Sequence, residues 1–286
     1  MTNHLLVFGP GYTAKPVMEH AQKAGWIVTA SYRNSETRIQ LTEHGFQAVD
    51  ANAGKLASEV PVSHILMSIA PTENGDPILN LWSDWLTEQN QINALLYLSS
   101  TNVYGDHAGA WVDETTEPKP SLERGIRRLA AERSWQSVAK SQGWRAFVFR
   151  LAGIYGPGRN SLLSLQRGKA RRIIKPGQVF GRIHRTDIEE AIWLAMTSNH
   201  TGGVFNLADD LPCPPQEVIE AAATMLGMAP PAEEIYTEAV MSPMARSFYC
   251  DNKQVRNDKI KQELRLDLKY PSYKEGLAAL YENLDG

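Results

Sequence analysis

A turn of glycines constrains this chain more than any other feature. Residues 4–8 (HLLVF) form an apolar run that reads as a buried strand. Gly9-Pro10-Gly11-Tyr12-Thr13-Ala14 follows, then a helical pattern through Ala24 and a second apolar run from Trp26 to Ala30. Strand, glycine turn, helix and strand make the βαβ arrangement that grips a dinucleotide pyrophosphate. Gly9 permits the sharp exit from the strand. Gly11 keeps side-chain atoms away from the phosphates, and Ala14, in the third glycine's place, lets helix and strand pack closely. The free N–H groups around Tyr12, Thr13 and the first helical turn then face the phosphates. An ordinary glycine turn is the competing reading, and the context on both sides favours the cofactor.

The second strand bears on which cofactor binds. A chain that prefers NAD usually closes this strand with a carboxylate for the ribose hydroxyls. Here it ends Ser31-Tyr32-Arg33, with no acid. Arg33 and the Ser31 hydroxyl suit an anionic 2′-phosphate, so NADP is expected ahead of NAD, with NAD still allowed. The competing reading of Arg33 is a solvated arginine.

With 286 residues, the chain is long enough for one large α/β domain and a smaller lobe. The net charge of −3 gives no overall field favouring nucleic acid or a membrane surface. Cys213 and Cys250, the only two cysteines, have no metal-ligand spacing and cannot build a disulfide framework, so no metal site is expected. No apolar run is long enough to span a bilayer and no basic-apolar signal segment precedes the first strand, which together suggest a cytoplasmic location.

Further along, 34–44 reads as a helix capped by Asn34 or Ser35 and closed by Gly45. A third strand, 46–49, puts Asp50 at the crevice end, where it contacts adenine or stands as an exposed turn residue. A fourth strand, 64–69, leads into Ala70. Residues 78–89 have Trp82 and Trp85 at helical spacing, expected as core or interface. The fifth strand, 95–98, is nearly all apolar, as a strand covered on both faces should be.

That strand runs into Ser99-Ser100-Thr101-Asn102-Val103-Tyr104-Gly105. The pattern SSxxVYG, Asp113-Glu114-Thr115 with its proline-containing loop, RLAGIYGPG at 150–158, Ile183-His184-Arg185-Thr186-Asp187 and VFNLAD at 204–209 occur in this order. Together they resemble the extended short-chain dehydrogenase/reductase superfamily, which includes NAD-dependent epimerases and dehydratases. The resemblance covers nearly the whole chain. With the βα alternation it implies an α/β fold: a Rossmann-type doubly wound parallel sheet with a smaller C-terminal substrate lobe. The expected cofactor domain is 1–158, completed by about 183–208, and the expected substrate lobe is 159–182 with 209–286. Within that lobe, 216–226 reads as a helix, 230–238 as an acidic linker and 259–286 as a final helix and end.

The resemblance also places functional positions. Ser100 matches the catalytic Ser/Thr, and Leu151 to Ile154 match residues that touch the nicotinamide. The superfamily's YxxxK pair should fall within 121–132, where Gly125 and Glu132 match its flanking Gly and Glu. Arg124 therefore stands where the tyrosine should be and Arg128 where the lysine should be. Tyrosine passes a proton, whereas arginine stays protonated and cannot cycle. Arg128 can still bond the cofactor ribose, and Arg124 can clamp a carboxylate or phosphate. This departure resembles the atypical branch of the superfamily. Tyr104 and Tyr155 are alternative acids, and both match positions that are mostly structural. His184 reads as a general base or, by the match, as a structural residue ahead of its helix.

Between Arg159 and Thr186 lie eight basic side chains and no acidic one. This field would attract an anionic metabolite, or it is a solvated surface or subunit contact. Arg159 and Arg182 are expected to bind substrate. So is Arg246, with Tyr249 beside it, in a segment (244–257) resembling the superfamily's substrate-closing element. Two readings follow. One is an oxidoreductase or epimerase acting on an anionic, sugar-derived small molecule. The other is a non-catalytic sensor of NADP or a metabolite. A homodimer is allowed by either.

Overall fold

The computed structural model describes residues 2–284. The chain opens with β1 (His4–Phe8), α1 (Ala14–Lys23), β2 (Ile27–Tyr32), α2 (Ser35–Glu43), β3 (Gln47–Asp50), β4 (His64–Met67), α3 (Pro77–Thr87) and β5 (Ala94–Ser100). A 3-10 turn (Thr101–Tyr104), β6 (Trp111–Val112), α4 (Glu123–Gln142), β7 (Arg145–Leu151), β8 (Gly153–Tyr155), α5 (Ser161–Gln166), β9 (Arg172–Ile174), β10 (Arg182–His184), α6 (Arg185–Thr197) and β11 (Gly202–Leu207) come next. The chain continues through α7 (Pro215–Met225), β12 (Glu233–Ile235), α8 (Pro243–Ser247), β13 (Gln254–Val255), α9 (Asp258–Glu263) and α10 (Tyr273–Glu282).

Seven strands form one sheet in the order β11-β7-β5-β4-β1-β2-β3. β1 runs parallel to β2 and β4, β2 to β3, and β4 to β5. This is the doubly wound Rossmann-type sheet. Successive strands step outward from β1 to β3, then resume on its other side at β4. The carboxyl ends of β1 and β4 therefore flank the switch point where such sheets bind ligands.

The chain divides into two compact units. The first holds residues up to Ser100 together with Ile126–Arg150 and Glu189–Phe205. Its core on one face of the sheet includes Phe8, Met67, Trp82, Leu86, Tyr97, Trp135 and Ala139. Trp82 and Trp135 are fully buried, each worth about 3 kcal/mol in apolar burial. Their indole N–H groups would be costly if unpaired; they donate to Ala51 O at 2.8 Å and Asp76 Oδ2 at 2.9 Å. Asp76 also caps α3, accepting from Ile78 N and Leu79 N. One carboxylate thus fixes where a helix starts and what it packs against. Elsewhere in this unit His20 of α1 stacks on Trp193 of α6.

The second unit holds Thr101–Gly125, Leu151–Ile188 and the chain from Asn206 onward. Three parallel strand pairs, β8 with β10, β9 with β12 and β6 with β13, join segments distant in sequence. Tyr155, Leu162, Leu165, Val218, Ala222, Tyr273 and Leu277 form its core. Two local expectations are corrected. The stretch 230–238 read as a linker carries β12, because Glu233 and Glu234 form ion pairs with Arg172 on β9 and with Arg171 just before it. The stretch from Lys259 holds two helices, α9 and α10, with a turn between them, rather than one. Among the described residues no helix is long and apolar enough to cross a membrane.

Candidate functional site

The glycine turn joins β1 to α1 at the switch point. Gly9 has φ +87°, and a Cβ added there would lie 2.9 Å from Ile69 Cγ1 and 3.1 Å from Ile69 N. Its glycine is required by the protein's own packing against the end of β4. Gly11 is different: an added Cβ meets nothing within 4 Å. The fold does not need a glycine at 11, so the open face suits a group from outside. The start of α1 agrees. The Thr13 side chain makes no capping bond, and the first turn holds no acidic residue, which leaves the positive end of the helix dipole uncompensated. Tyr12 and Thr13 lie between that open glycine and the helix start. These residues fit the pyrophosphate of a dinucleotide.

Ser31 is buried, and its hydroxyl accepts from Gly9 N at 3.2 Å, so it fixes the turn as well as lying near the ribose end of β2. Tyr32 pairs with Asp50 across β2 and β3, which puts Arg33 just past that pair, exposed at the sheet's carboxyl edge. Asp50 is exposed, and its carboxylate accepts from Asn52 N at 2.8 Å. Ala70 is exposed just beyond β4, next to the Ile69 that packs on Gly9. Leu151 is buried at the end of β7.

A second group stands where β5 meets α4. Arg128 donates to Leu98 O at 3.1 Å and Tyr97 Oη at 3.2 Å, so its guanidinium is anchored to the strand that ends at Ser100. Burial pushes the Tyr97 phenol up to about 12, and the Arg128 charge opposes this. One turn later on α4, Glu132 is 1 % exposed. It accepts from Arg150 Nη2 at 2.9 Å and Nε at 3.3 Å and from the Ser99 hydroxyl. This carboxylate ties α4 to β5 and β7 and holds Arg128 in register with Ser100.

In the second unit, Arg124 leaves the first turn of α4 toward α8. Its Nη1 donates to Ser247 Oγ at 2.8 Å, its guanidinium lies 4.5 Å from the Phe248 ring centroid, and its Nε is buried without a hydrogen bond. Gly125 beside it is required: a Cβ would come within 2.8 Å of Asn102 O and 2.9 Å of Pro120 Cβ. Arg246 donates to Ala239 O at 2.8 Å and stacks over Tyr236. Tyr249 packs against Tyr236 and Phe180.

The two alternative tyrosines are committed elsewhere. Tyr104 is fully buried and donates to Asn206 Oδ1 at 2.7 Å. Tyr155 donates to Ser272 O at 3.2 Å, and burial pushes its phenol far above the usual range. His184 accepts from Thr186 N through Nδ1, packs between Tyr155 and Tyr270, and is lowered by burial to about 4. It ends β10, just before α6, and its Nε2 is buried without a hydrogen-bond partner. Ile154, Arg159 and Arg182 share the wall of one cavity in this unit.

Two features escaped the sequence reading. Glu132 served there only to align a motif, and its partner Arg150 lies on another element. Lys253 is buried, donates to Gly105 O at 2.9 Å and lies 3.5 Å from Asp251, which in turn accepts from Ser121 Oγ at 2.5 Å. The segment around it, polar in composition, looks solvated until the fold wraps it against the loop after Tyr104.

Comparison with known proteins agrees with this geometry. The model of the NAD dependent epimerase/dehydratase family matches residues 11–208. A functionally unknown conserved protein from Silicibacter pomeroyi is similar at 44% identity over 100% of both chains, with a TM-score of 0.91. The dTDP-glucose 4,6-dehydratase of Bacillus anthracis, solved in complex with NAD, shares the fold at 17% identity, covering 99% of this chain and 97% of that one, with a TM-score of 0.80. Protein YeeZ of Escherichia coli K12 is 30% identical over 145 residues, 50% of this chain and 49% of YeeZ. The chain thus spans about half the length of the curated relatives it matches. From the extent of the family match, the sheet order and the glycine turn, the chain belongs to the NAD dependent epimerase/dehydratase family.

Proposed function

We propose that this chain is an oxidoreductase or epimerase that uses NADP in preference to NAD and acts on an anionic, sugar-derived small molecule. The observation that carries the cofactor reading is Gly11, a glycine the protein's own packing does not need, beside a helix start with no internal compensation. Arg33, exposed past the end of β2 where a carboxylate would serve NAD, supports NADP. When bound, a nicotinamide cofactor supplies hydride acceptance and return. Gly9, Gly11, Tyr12 and Thr13 hold its phosphates, and Ser31, Arg33, Asp50 and Ala70 hold the adenosine half. Leu151 and Ile154 border the nicotinamide. Arg128, pre-positioned by Tyr97 and Leu98, takes the ribose, and Ser100 holds the substrate carbonyl or hydroxyl. Arg124 meets the substrate's carboxylate or phosphate, and Arg159, Arg182 and Arg246 line the substrate site. Arg124 stays charged throughout, so the proton passes through water or the substrate itself. The expected lobes are a cofactor domain of 1–158 completed by 183–208 and a substrate lobe from the remainder. We place the protein in the cytoplasm, as a monomer or homodimer.

One observation favours a second reading, a non-catalytic sensor of NADP or a metabolite. By the resemblance Arg124 stands where the proton-passing tyrosine should be, and the hydroxyls of Tyr104 and Tyr155 are buried and hydrogen-bonded. Calorimetry tests the cofactor reading. NADPH is expected to bind more tightly than NADH, and Arg33→Asp to reverse the order. Equal affinities in the wild type would remove the NADP preference, and no heat with any pyridine nucleotide would remove the whole reading. Turnover of NADPH with a panel of sugar phosphates and sugar nucleotides separates enzyme from sensor.

A further inference from the structure

The eight basic side chains between Arg159 and Thr186 are not treated alike by the fold. Arg171 pairs with Glu234, and Arg172 with Glu220 at 3.0 Å and Glu233 at 3.4 Å. Lys175 donates to Gln178 Oε1 at 2.9 Å and to Tyr249 O at 2.5 Å. Among the described residues Arg159 and Arg182 form no ion pair, yet both line one cavity of about 220 Å³ in the second unit. No carboxylate lines it. Two like charges share a space in which nothing anionic stands.

Arg182 is held in place for such a role. Its guanidinium donates through Nη1 to Phe180 O at 2.9 Å and to Cys213 O and Sγ, and lies 6.0 Å from the Tyr273 ring centroid. Asp209 feels the Arg182 charge but makes no ion pair or hydrogen bond with its guanidinium: one carboxylate oxygen accepts from Leu211 N, and the other is buried without a partner. Ser161 and Ser164 of α5 add hydroxyls to the wall, while Val218 of α7 and Leu277 of α10 add apolar surface. The volume exceeds the ~150 Å³ of an apolar cavity that takes up benzene. A bare ion would leave that apolar wall in contact with water, and a neutral ring would leave two guanidiniums unpaired.

We propose that this cavity binds a small organic oxyanion, a phosphate monoester or carboxylate on a ring-sized apolar body, with Arg159 and Arg182 on the oxyanion and Val218 and Leu277 on the body. The proposal rests on the reading that the chain takes an anionic small molecule; in place of a sugar-derived body it names an apolar ring, which the Val218 and Leu277 wall suits.

Calorimetry with phenyl phosphate, benzoate and inorganic phosphate tests it on the full chain, with NADPH titrated into the same preparation. At least one of the two ring compounds is expected to bind about tenfold or more tightly than inorganic phosphate, and which one assigns the head group. Arg159→Ala, at an exposed position, should weaken that binding about tenfold, and Ser164→Phe should abolish it by filling the space. Retained NADPH heat shows that each variant is folded. No heat with either ring compound in material that binds NADPH overturns this proposal alone. So does binding no tighter than that of inorganic phosphate, or unchanged binding in Arg159→Ala. Ring-compound binding without NADPH binding would sink the cofactor reading and leave this one standing.

Discussion

Replacing Glu132 by Gln removes a single negative charge from the interior of the first unit. The Glu132 side chain is 1 % exposed and that of Arg150 is 6 % exposed, and they meet through Nη2 at 2.9 Å and Nε at 3.3 Å. The pair itself need not be a large net stabiliser, since desolvating two charges offsets most of their attraction. Breaking it is another matter. Arg150 cannot shed its proton, so the variant takes from a buried guanidinium the carboxylate that pairs with it, at a cost of about 3–5 kcal/mol. Ser99 also loses a charged acceptor. At roughly 2–4 °C per kcal/mol for a chain near this size, the first unit should melt about 10 °C earlier. Replacing both residues, Glu132→Gln with Arg150→Met, should recover most of the loss, because the charge left behind is gone. Urea unfolding of the wild type, both single variants and the double variant measures the coupling directly. Additive losses, with the double variant as unstable as the sum of the singles, would refute the argument. They would mean that α4 is held to β5 and β7 by packing and not by this carboxylate.

Three further outcomes follow from the same structure. Gly11→Val should leave the unfolding midpoint unchanged while abolishing NADPH binding, because its side chain enters open space, whereas Gly9→Val should cost about 2 kcal/mol or more from its positive φ and its contact with Ile69; equal stability losses would contradict this division of roles. Burial raises the Asp209 carboxyl to about 7, so the folded state holds a proton there that the unfolded state releases near pH 4; this group's contribution to stability falls as pH rises from about 4 to 7, by at most on the order of 4 kcal/mol, with a smaller contribution in the same sense from Asp187, raised to about 6, while His64 and His184, each lowered by burial to about 4, act in the opposite sense. The stability of Asp209→Asn relative to the wild type should therefore rise with pH in unfolding midpoints measured from pH 4.5 to 8; a difference that stays constant across that range would show that Asp209 does not titrate in it. Arg124→Tyr should fold and cost only about 1 kcal/mol, the bond to Ser247 being lost while stacking on Phe248 is kept; NADPH turnover appearing in that variant alone would identify position 124 as the missing acid.

What the sequence disclosed and what it hid divide along a physical line. The β1 turn was legible because its requirement is local: the backbone conformation at Gly9 and the bare surface at Gly11 are set within a few residues. The sheet was legible because apolar runs such as ALLYL at 94–98 have the composition of strands covered on both faces. Trp82 and Trp85 were readable as core or interface from their spacing, and they are buried and half-buried, but the acceptors of their indoles, Ala51 O and Leu56 O, were not legible. The partners of charged residues were hidden for a related reason. Arg171 and Arg172 looked like part of a uniform basic run, while two of their counterions, Glu233 and Glu234, sat far along the chain in a stretch whose proline and acidic composition reads as a linker, and a third, Glu220, sat on α7. The pairing of β9 with β12 and the packing of α7 on β9 bring them together. That pairing also changes the meaning of the run. A field of eight positive charges would attract any polyanion, and a solvated surface would explain it equally well. Once Arg171 and Arg172 are neutralised within the chain, the general attraction weakens. What stands out is Arg159 and Arg182, converging on a cavity with apolar walls. Charge patterning in a sequence therefore overstates electrostatic breadth and understates chemical selectivity. The discriminating information lies in which charges the fold leaves without a counterion, and that is a property of long-range strand pairing.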